Sequence, residues 1–149
     1  MLLQGRNVTR SIGTFRYSPK LNGSLNRRDG GSTKWWLVID VDRDLGRYCR
    51  EMYRMSRWSC DKLQRPVWEA HISVIRNEEP ADEFKALWEK YNYRPVEFEY
   101  DMYNASGDDT YVWLPVVCER ALDIREELGL PRQPYFSLHL TIGNRKEQS

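Results

Sequence analysis

His71-Ile72-Ser73-Val74 and His139-Leu140-Thr141-Ile142 are two copies of one pattern, imidazole, apolar, hydroxyl, apolar, and they contain both histidines of the chain. In an extended strand successive side chains point to opposite faces, so each copy sets an imidazole and a hydroxyl on one face and two apolar groups on the other. The flanks continue the alternation. Ala70, Ile72 and Val74 oppose Glu69, His71 and Ser73, while Phe136, Leu138, Leu140 and Ile142 oppose Ser137, His139 and Thr141. Two half-buried strands are predicted, over about 67–75 and 135–142, with their apolar sets in a core and their histidines turned to a cleft.

Working outward, Lys34 to Val41 reads as a buried strand. A helix is predicted from about Asp44 to Leu63, with Leu45, Tyr48, Cys49, Met52 and Met55 on one face. Arg43, Arg47, Arg50, Arg54 and Arg57 recur on another face as a solvated stripe. A short helix follows from Asp82 to Tyr91, then strands over Val96–Met102 and Tyr111–Val117 joined by the polar turn Asn104–Asp109. A helix over Glu119–Leu128 ends at Gly129, a C-terminal cap. Each half therefore reads strand, helix, motif strand, with the histidines 68 positions apart. The pattern predicts one α+β domain over 1–149 with two lobes related by approximate symmetry, antiparallel sheets lining a central cleft and helices outside. Residues 22–33, rich in Gly, Asn and Ser, read as a flexible loop, and 144–149 as a polar tail.

With 40% hydrophobic residues and six tryptophans, 149 residues suffice for a sizeable core. Cys49, Cys60 and Cys118 are odd in number and lack a CxxC pair, which points away from a disulfide framework or zinc knuckle and toward a reducing, cytoplasmic setting. No apolar run reaches membrane-spanning length, so no membrane association is expected. A net charge of +1 argues against a long nucleic-acid track. From Met1 to Lys34, however, seven basic residues face one acid, Asp29, and such a segment can hold phosphates locally.

Paired imidazoles suit phosphodiester cleavage by an internal nucleophile, which needs one proton removed from the incoming oxygen and one delivered to the departing oxygen. An unperturbed imidazole pKa near 6.5 lets one ring be neutral while the other is protonated. On neighbouring strands the rings would lie roughly 5 to 10 Å apart, spanning a phosphorus centre. Ser73 and Thr141 could then donate to the nonbridging oxygens. Metal binding by the two histidines is the rival reading, but there is no HxxxH spacing or Cys partner, and a hydroxyl two residues on is a poor zinc ligand. Glu69 shares the His71 face and is assigned an outer structural role.

The paired motif resembles that of the 2H phosphoesterases, and the likeness extends over most of the chain from Lys34 onward, with Ser73 in place of the commoner threonine. Within that superfamily, residues 13–17 (GTFRY), 70–76 (AHISVIR), 124–130 (IREELGL) and 139–145 (HLTIGNR) look like the phage anti-CBASS phosphodiesterases. The resemblance implies a metal-independent, cofactor-free enzyme that cuts 3′-5′ bonds of cyclic di- or trinucleotides, cGAMP among them, in the cytoplasm of an infected bacterial host. It implies catalysis by His71, Ser73, His139 and Thr141, with the ribose 2′-OH as nucleophile and no obligatory protein partner. For base stacking the candidates are Tyr17, in the basic segment, and Tyr103, at the edge of a strand pair. Trp35, Trp36, Trp68 and Trp113 are assigned to core or sheet surface. The alternatives are an enzyme processing RNA 2′,3′-cyclic phosphate ends, and a noncatalytic nucleotide-binding module.

Overall fold

The computed structural model describes residues 8–20, 23–25, 31–56, 63–66 and 68–145. Its strands are β1 (Val8–Tyr17), β2 (Trp36–Asp40), β3 (His71–Arg76), β4 (Pro95–Asp101), β5 (Ser106–Gly107), β6 (Tyr111–Val117) and β7 (His139–Asn144). Two α-helices, α1 (Arg43–Ser56) and α2 (Glu119–Glu127), accompany them, with 3₁₀ turns at Asp82–Leu87 and Met102–Asn104. The seven strands form one antiparallel sheet in the order β4-β1-β2-β3-β7-β6-β5. Pairing of Glu99 with Val117 and of Tyr100 with Val116 joins β4 to β6 and closes the sheet into a barrel. Closure pairs strand edges that would otherwise be open to other chains. Among the described residues no helix is long and apolar enough to cross a membrane.

The barrel follows from period-two burial. Leu37 and Ile39 on β2, Ile72 on β3, Leu140 and Ile142 on β7, and Val112 and Leu114 on β6 are all fully buried, while their alternates are at most half-buried except Trp36 and Val38 on β2 and, where the alternation breaks, Ile75 on β3 and Gly143 on β7. Helices α1 and α2 add Cys49, Tyr53, Ala121, Ile124 and Leu128 to the same core. The order strand, helix, motif strand is present twice, as β2-α1-β3 and β6-α2-β7. Gly129 closes α2 as expected. It adopts φ +75°, and the Leu130 amide donates back to the Arg125 carbonyl at 3.0 Å.

β1 is a correction to the sequence reading, which took this stretch only as a basic segment. Charge counting hid the alternation of Gly13, Phe15 and Tyr17, all buried, with Thr14 and Arg16. Gly13 is required by close packing, since a Cβ there would lie 2.4 Å from Ile39 Cγ2 and 2.7 Å from the Asp40 carbonyl. The basic residues are partly neutralised on the strand, Arg16 by Asp40 at 3.1 Å and Arg10 by Glu99 at 3.8 Å. Of the 22–33 loop, the described parts are tied together by Thr33, whose amide and hydroxyl both donate to the Leu25 carbonyl. The remainder lies outside the described residues.

Other boundaries move for local reasons. α1 ends at Ser56, and Gln64 pairs with Asn144 in an isolated bridge instead of continuing a helix; residues 57–62 lie outside the described set. Val67, where the first motif strand was expected to start, is also outside it, and β3 begins at His71 after Glu69 turns the chain at φ +59°. The helix expected over Asp82–Tyr91 is a 3₁₀ turn to Leu87. β7 starts at His139, not Tyr135: the ladder with β6 ends at Pro115, beyond which Val116 donates to the Leu138 carbonyl at 3.2 Å and pairs with Tyr100 of β4. Asn144 completes β7, and Arg145 donates to the Tyr53 hydroxyl at 3.0 Å, so the tail expected from 144 is still structured at its start. Residues 146–149 lie outside the described set.

Both motif strands carry a bulge at the same place. Against β2, β3 skips Val74, since Leu37 pairs with Ile75 and Val38 with Ser73. Against β6, β7 skips Ile142, since Val112 pairs with Gly143 and Trp113 with Thr141. A bulge lets two consecutive residues be buried, as Val74 with Ile75 and Ile142 with Gly143 are, but it withdraws one backbone carbonyl from the ladder. A helical arginine meets each of these carbonyls. Arg125 Nη1 of α2 donates to Val74 O at 3.0 Å, and Arg50 Nη1 of α1 donates to Ile142 O at 3.0 Å.

Arg125 is 1% exposed, and its remaining donors reach the Glu78 carboxylate at 2.8 and 2.9 Å and the Pro131 carbonyl at 2.9 Å. Arg125→Ala should therefore lower the unfolding free energy by about 2 kcal/mol, because it strands two carbonyls and leaves the Glu78 carboxylate, one-third exposed, without its partner. Denaturant unfolding measures this, and a loss under about 0.5 kcal/mol would mean that the guanidinium carries no net stability.

Candidate functional site

β3 and β7 are direct antiparallel neighbours, with His71 opposite Thr141 and Ile72 opposite Leu140. The same register carried one pair further sets Ser73 opposite His139. Ile72 and Leu140 are fully buried, and the four polar side chains occupy the other face. Each imidazole thus lies across from the hydroxyl of the other motif, in a quartet of approximate two-fold symmetry. The histidines are diagonal neighbours, a relation that sets them about 7 to 8 Å apart.

Both rings are held in the same way. His71 Nδ1 lies 2.8 Å from the Glu69 carbonyl, and His139 Nδ1 lies 2.8 Å from the Ser137 carbonyl, in each case two residues back. A carbonyl only accepts, so Nδ1 carries the proton and donates it, and in the neutral ring Nε2 keeps the lone pair for chemistry. The carboxylate of Glu69 is engaged elsewhere, with Arg65 at 3.0 Å and Arg43 at 3.8 Å. Its backbone is what serves the site.

Burial pushes the His71 imidazole down to about 4, against the pull of the Glu69 carbonyl bond and with help from positive charge on Arg76 and His139. Ser73 Oγ accepts from Trp36 Nε1 at 3.0 Å, which leaves the hydroxyl proton to donate elsewhere. The Trp36 ring meets His71 edge-on at 5.7 Å and Trp68 at 5.0 Å. Arg16 lies 5.9 Å from the centre of Trp68. It also pairs with Asp40, the residue opposite His71 on β2, whose carboxyl burial raises while Arg16 opposes the shift.

The flank of His139 is different. Its neighbour on β6 is Pro115, and Trp113 tilts against its ring at 5.6 Å. Ser106, Trp113, Pro115, Phe136 and His139 line a hollow of about 210 Å³ with mostly apolar walls. The symmetric quartet therefore sits between a charged flank and an apolar one.

The structure brings His71, Ser73, His139 and Thr141 together and leaves the two tyrosines apart from them. Tyr17 is 4% exposed and packs edge-on against Trp88 at 5.1 Å. Alternation along β1 puts Arg16 on the quartet face and Tyr17 on the core face, so the tyrosine expected to stack on a base is a core residue. Tyr103 is 61% exposed on the 3₁₀ turn before β5 and is not part of the hollow's lining. Trp36, Trp68 and Trp113, which the sequence reading assigned to core or sheet surface, flank the histidines. The register of β2 against β3 and of β6 against β7 would have found Trp36 and Trp113, but only once both pairings were known.

Arg50, expected in a solvated stripe, is half-buried and donates to β7, whereas Arg43, Arg47 and Arg54 are exposed as expected; Arg57 lies outside the described residues. Among the described residues no group of three or more His, Cys, Asp or Glu side chains is placed to hold a metal ion. No protein-family model, curated protein or solved structure gives a significant match to this chain.

The depressed His71 pKa has a pH consequence of definite sign. Between about 4 and the unfolded value near 6.5 the unfolded chain binds a proton that the folded ring refuses, so this contribution to stability is full above 6.5 and falls as pH drops toward 4. NMR titration should show the His71 imidazole neutral down to about pH 4. The His71→Gln variant should lose the corresponding slope of unfolding free energy against pH. A His71 inflection near 6.5 would contradict the buried, uncharged ring.

Proposed function

We propose that this protein is a metal-independent phosphodiesterase of the 2H type that cleaves 3′-5′ bonds of cyclic di- and trinucleotides, and so counteracts bacterial antiphage signalling by such messengers. The observation that carries the reading is the quartet itself, with two imidazoles on adjoining strands and each Nδ1 donating to the carbonyl two residues back. The two-lobed arrangement of that superfamily is part of the proposal, and the duplicated β2-α1-β3 and β6-α2-β7 order supports it.

In this mechanism His71, held neutral by burial, takes the proton of a ribose 2′-OH through Nε2. The 2′ oxygen bonds to phosphorus, the bond from phosphorus to the departing 5′ oxygen breaks, and protonated His139 supplies the proton that oxygen needs. The ring opens to a linear product with a 2′,3′-cyclic phosphate. Water opens that phosphate in a second step in which the histidines exchange roles. Ser73, whose acceptor site Trp36 occupies, donates to one nonbridging oxygen and Thr141 to another, where charge builds in the transition state.

Purified protein in chelator should therefore cleave 3′-5′-linked cyclic dinucleotides and trinucleotides and leave an all-2′-5′-linked ring intact, because the 2′ oxygen of that ring is already esterified. His71→Ala and His139→Ala should each lower turnover by about a hundredfold or more, and the double variant by far less than their product, since both act in one transfer. Ser73→Ala should lower the rate constant by an amount equivalent to about 3 kcal/mol with little change in affinity. Near-normal turnover in either histidine variant would remove the mechanism. Preferential action on RNA bearing a 2′,3′-cyclic end would move the assignment to end processing.

A further inference from the structure

A second cavity, of about 670 Å³, opens beyond the quartet where β1 and β2 meet the chain that follows the 3₁₀ turn at Asp82–Leu87. Its volume is within the range of small-molecule sites. Arg16, Lys20 and Lys34 line it against one carboxylate, Glu89. Arg16 is already paired with Asp40, while the Lys34 ammonium is steadied 5.2 Å from the centre of the Trp35 ring. The lining therefore carries a positive field suited to a phosphate.

Two features of the wall select more than an anion. Asn92 uses its side-chain oxygen to accept from the Tyr17 amide at 3.1 Å, which leaves its NH₂ group as a donor. Tyr93 beside it adopts φ +63°, a left-handed conformation that is costly for a bulky side chain, and its ring is 72% exposed. Its amide donates to the Phe15 carbonyl at 2.8 Å, which anchors the backbone there. Such strain is retained where a side chain serves a ligand, and an exposed phenol ring at a basic cavity offers a flat face to a nucleobase.

We propose that this cavity is a nucleotide-binding pocket separate from the histidine quartet, with the phosphate between Lys20 and Lys34 and the base on Tyr93. Arg16 pairs with Val38 and Val38 with Ser73, so the backbone of the pocket's nearest strand residue is two strands, about 10 Å, from the quartet, while the Arg16 side chain, held by Asp40 opposite His71, forms the wall between the two sites. The pocket does not depend on catalysis by the histidines.

The test is titration of the whole ¹⁵N-labelled protein with 5′-AMP, following the indole resonances. Trp35 and Trp88 line the pocket, whereas Trp36 and Trp113 flank the histidines. Saturable shifts of Trp35 and Trp88 are expected, and they should persist in His71→Ala and His139→Ala. Tyr93→Ala should weaken this binding about tenfold and Tyr93→Phe should preserve it, because stacking needs the ring and not the hydroxyl. Lys34→Glu should weaken it by about tenfold or more, since it replaces an attraction with a repulsion. Shifts confined to Trp36 and Trp113, no shifts at all, or affinity unchanged by Tyr93→Ala and Lys34→Glu would overturn the proposal. So would inorganic phosphate binding as tightly as 5′-AMP, which would make the cavity an anion site only.

Discussion

The antiparallel pairing of β3 with β7, with His71 opposite Thr141, is the constraint on which the site depends. The side-chain period of a strand is two, so a slip of one residue would exchange Ile72 and Leu140 for His71, Ser73, His139 and Thr141 in the core. Burial of the apolar set makes that slip prohibitive. The bulges at Val74 and Ile142 add a second lock, because each has a carbonyl that a helical arginine meets. The connection is crossed. The helix after β2 serves β7 and the helix after β6 serves β3, so each half of the duplicated order braces the motif strand of the other.

This bracing places reactive groups where a reaction would otherwise have to reorganise them. Two backbone carbonyls fix the imidazole planes, and an indole fixes the Ser73 hydroxyl. Preorganised donors of this kind act most strongly where water is excluded. Desolvation of His71 has two opposed effects: it keeps the ring free of a proton before any substrate arrives, and it weakens the ring as a base. The symmetry of the quartet is broken only by its flanks, with Arg16, Asp40 and Trp68 near His71 and Trp113, Pro115 and Phe136 near His139. A substrate that meets both flanks would be gripped by charge at one end and by an apolar wall at the other.

Much of this was legible in the chain before its fold was known. Alternation around the two motifs specified strands, the shared face of imidazole and hydroxyl, and the buried partners of each histidine except Phe136, which is 73% exposed because it precedes β7. The 3.6-residue spacing and Gly129 marked the two helices, although α1 buries Gly46, Cys49 and Tyr53 and leaves Tyr48 and Met55 of its expected apolar face exposed. These are local properties, set by the geometry of a few neighbouring residues. β1 escaped because its small buried residue, Gly13, does not register as hydrophobic, and the charges around it drew the reading toward a phosphate-holding arm. The burial of Tyr17 escaped for the same reason, since without the strand its facing could not be assigned.

What the sequence determined by itself was the pair of motif strands and the imidazole and hydroxyl that each presents on one face. What only the tertiary structure decided was their adjacency, their register, the tryptophans beside the rings and the lowered pKa of His71. Each of these depends on partners far along the chain, 70 residues from His71 to Thr141 and 37 from Trp36 to Ser73. Desolvation likewise is a property of packing and not of residue type: the His71 pKa is lowered by what packs around the ring, with Trp36 edge-on to it and Arg76 adding positive charge.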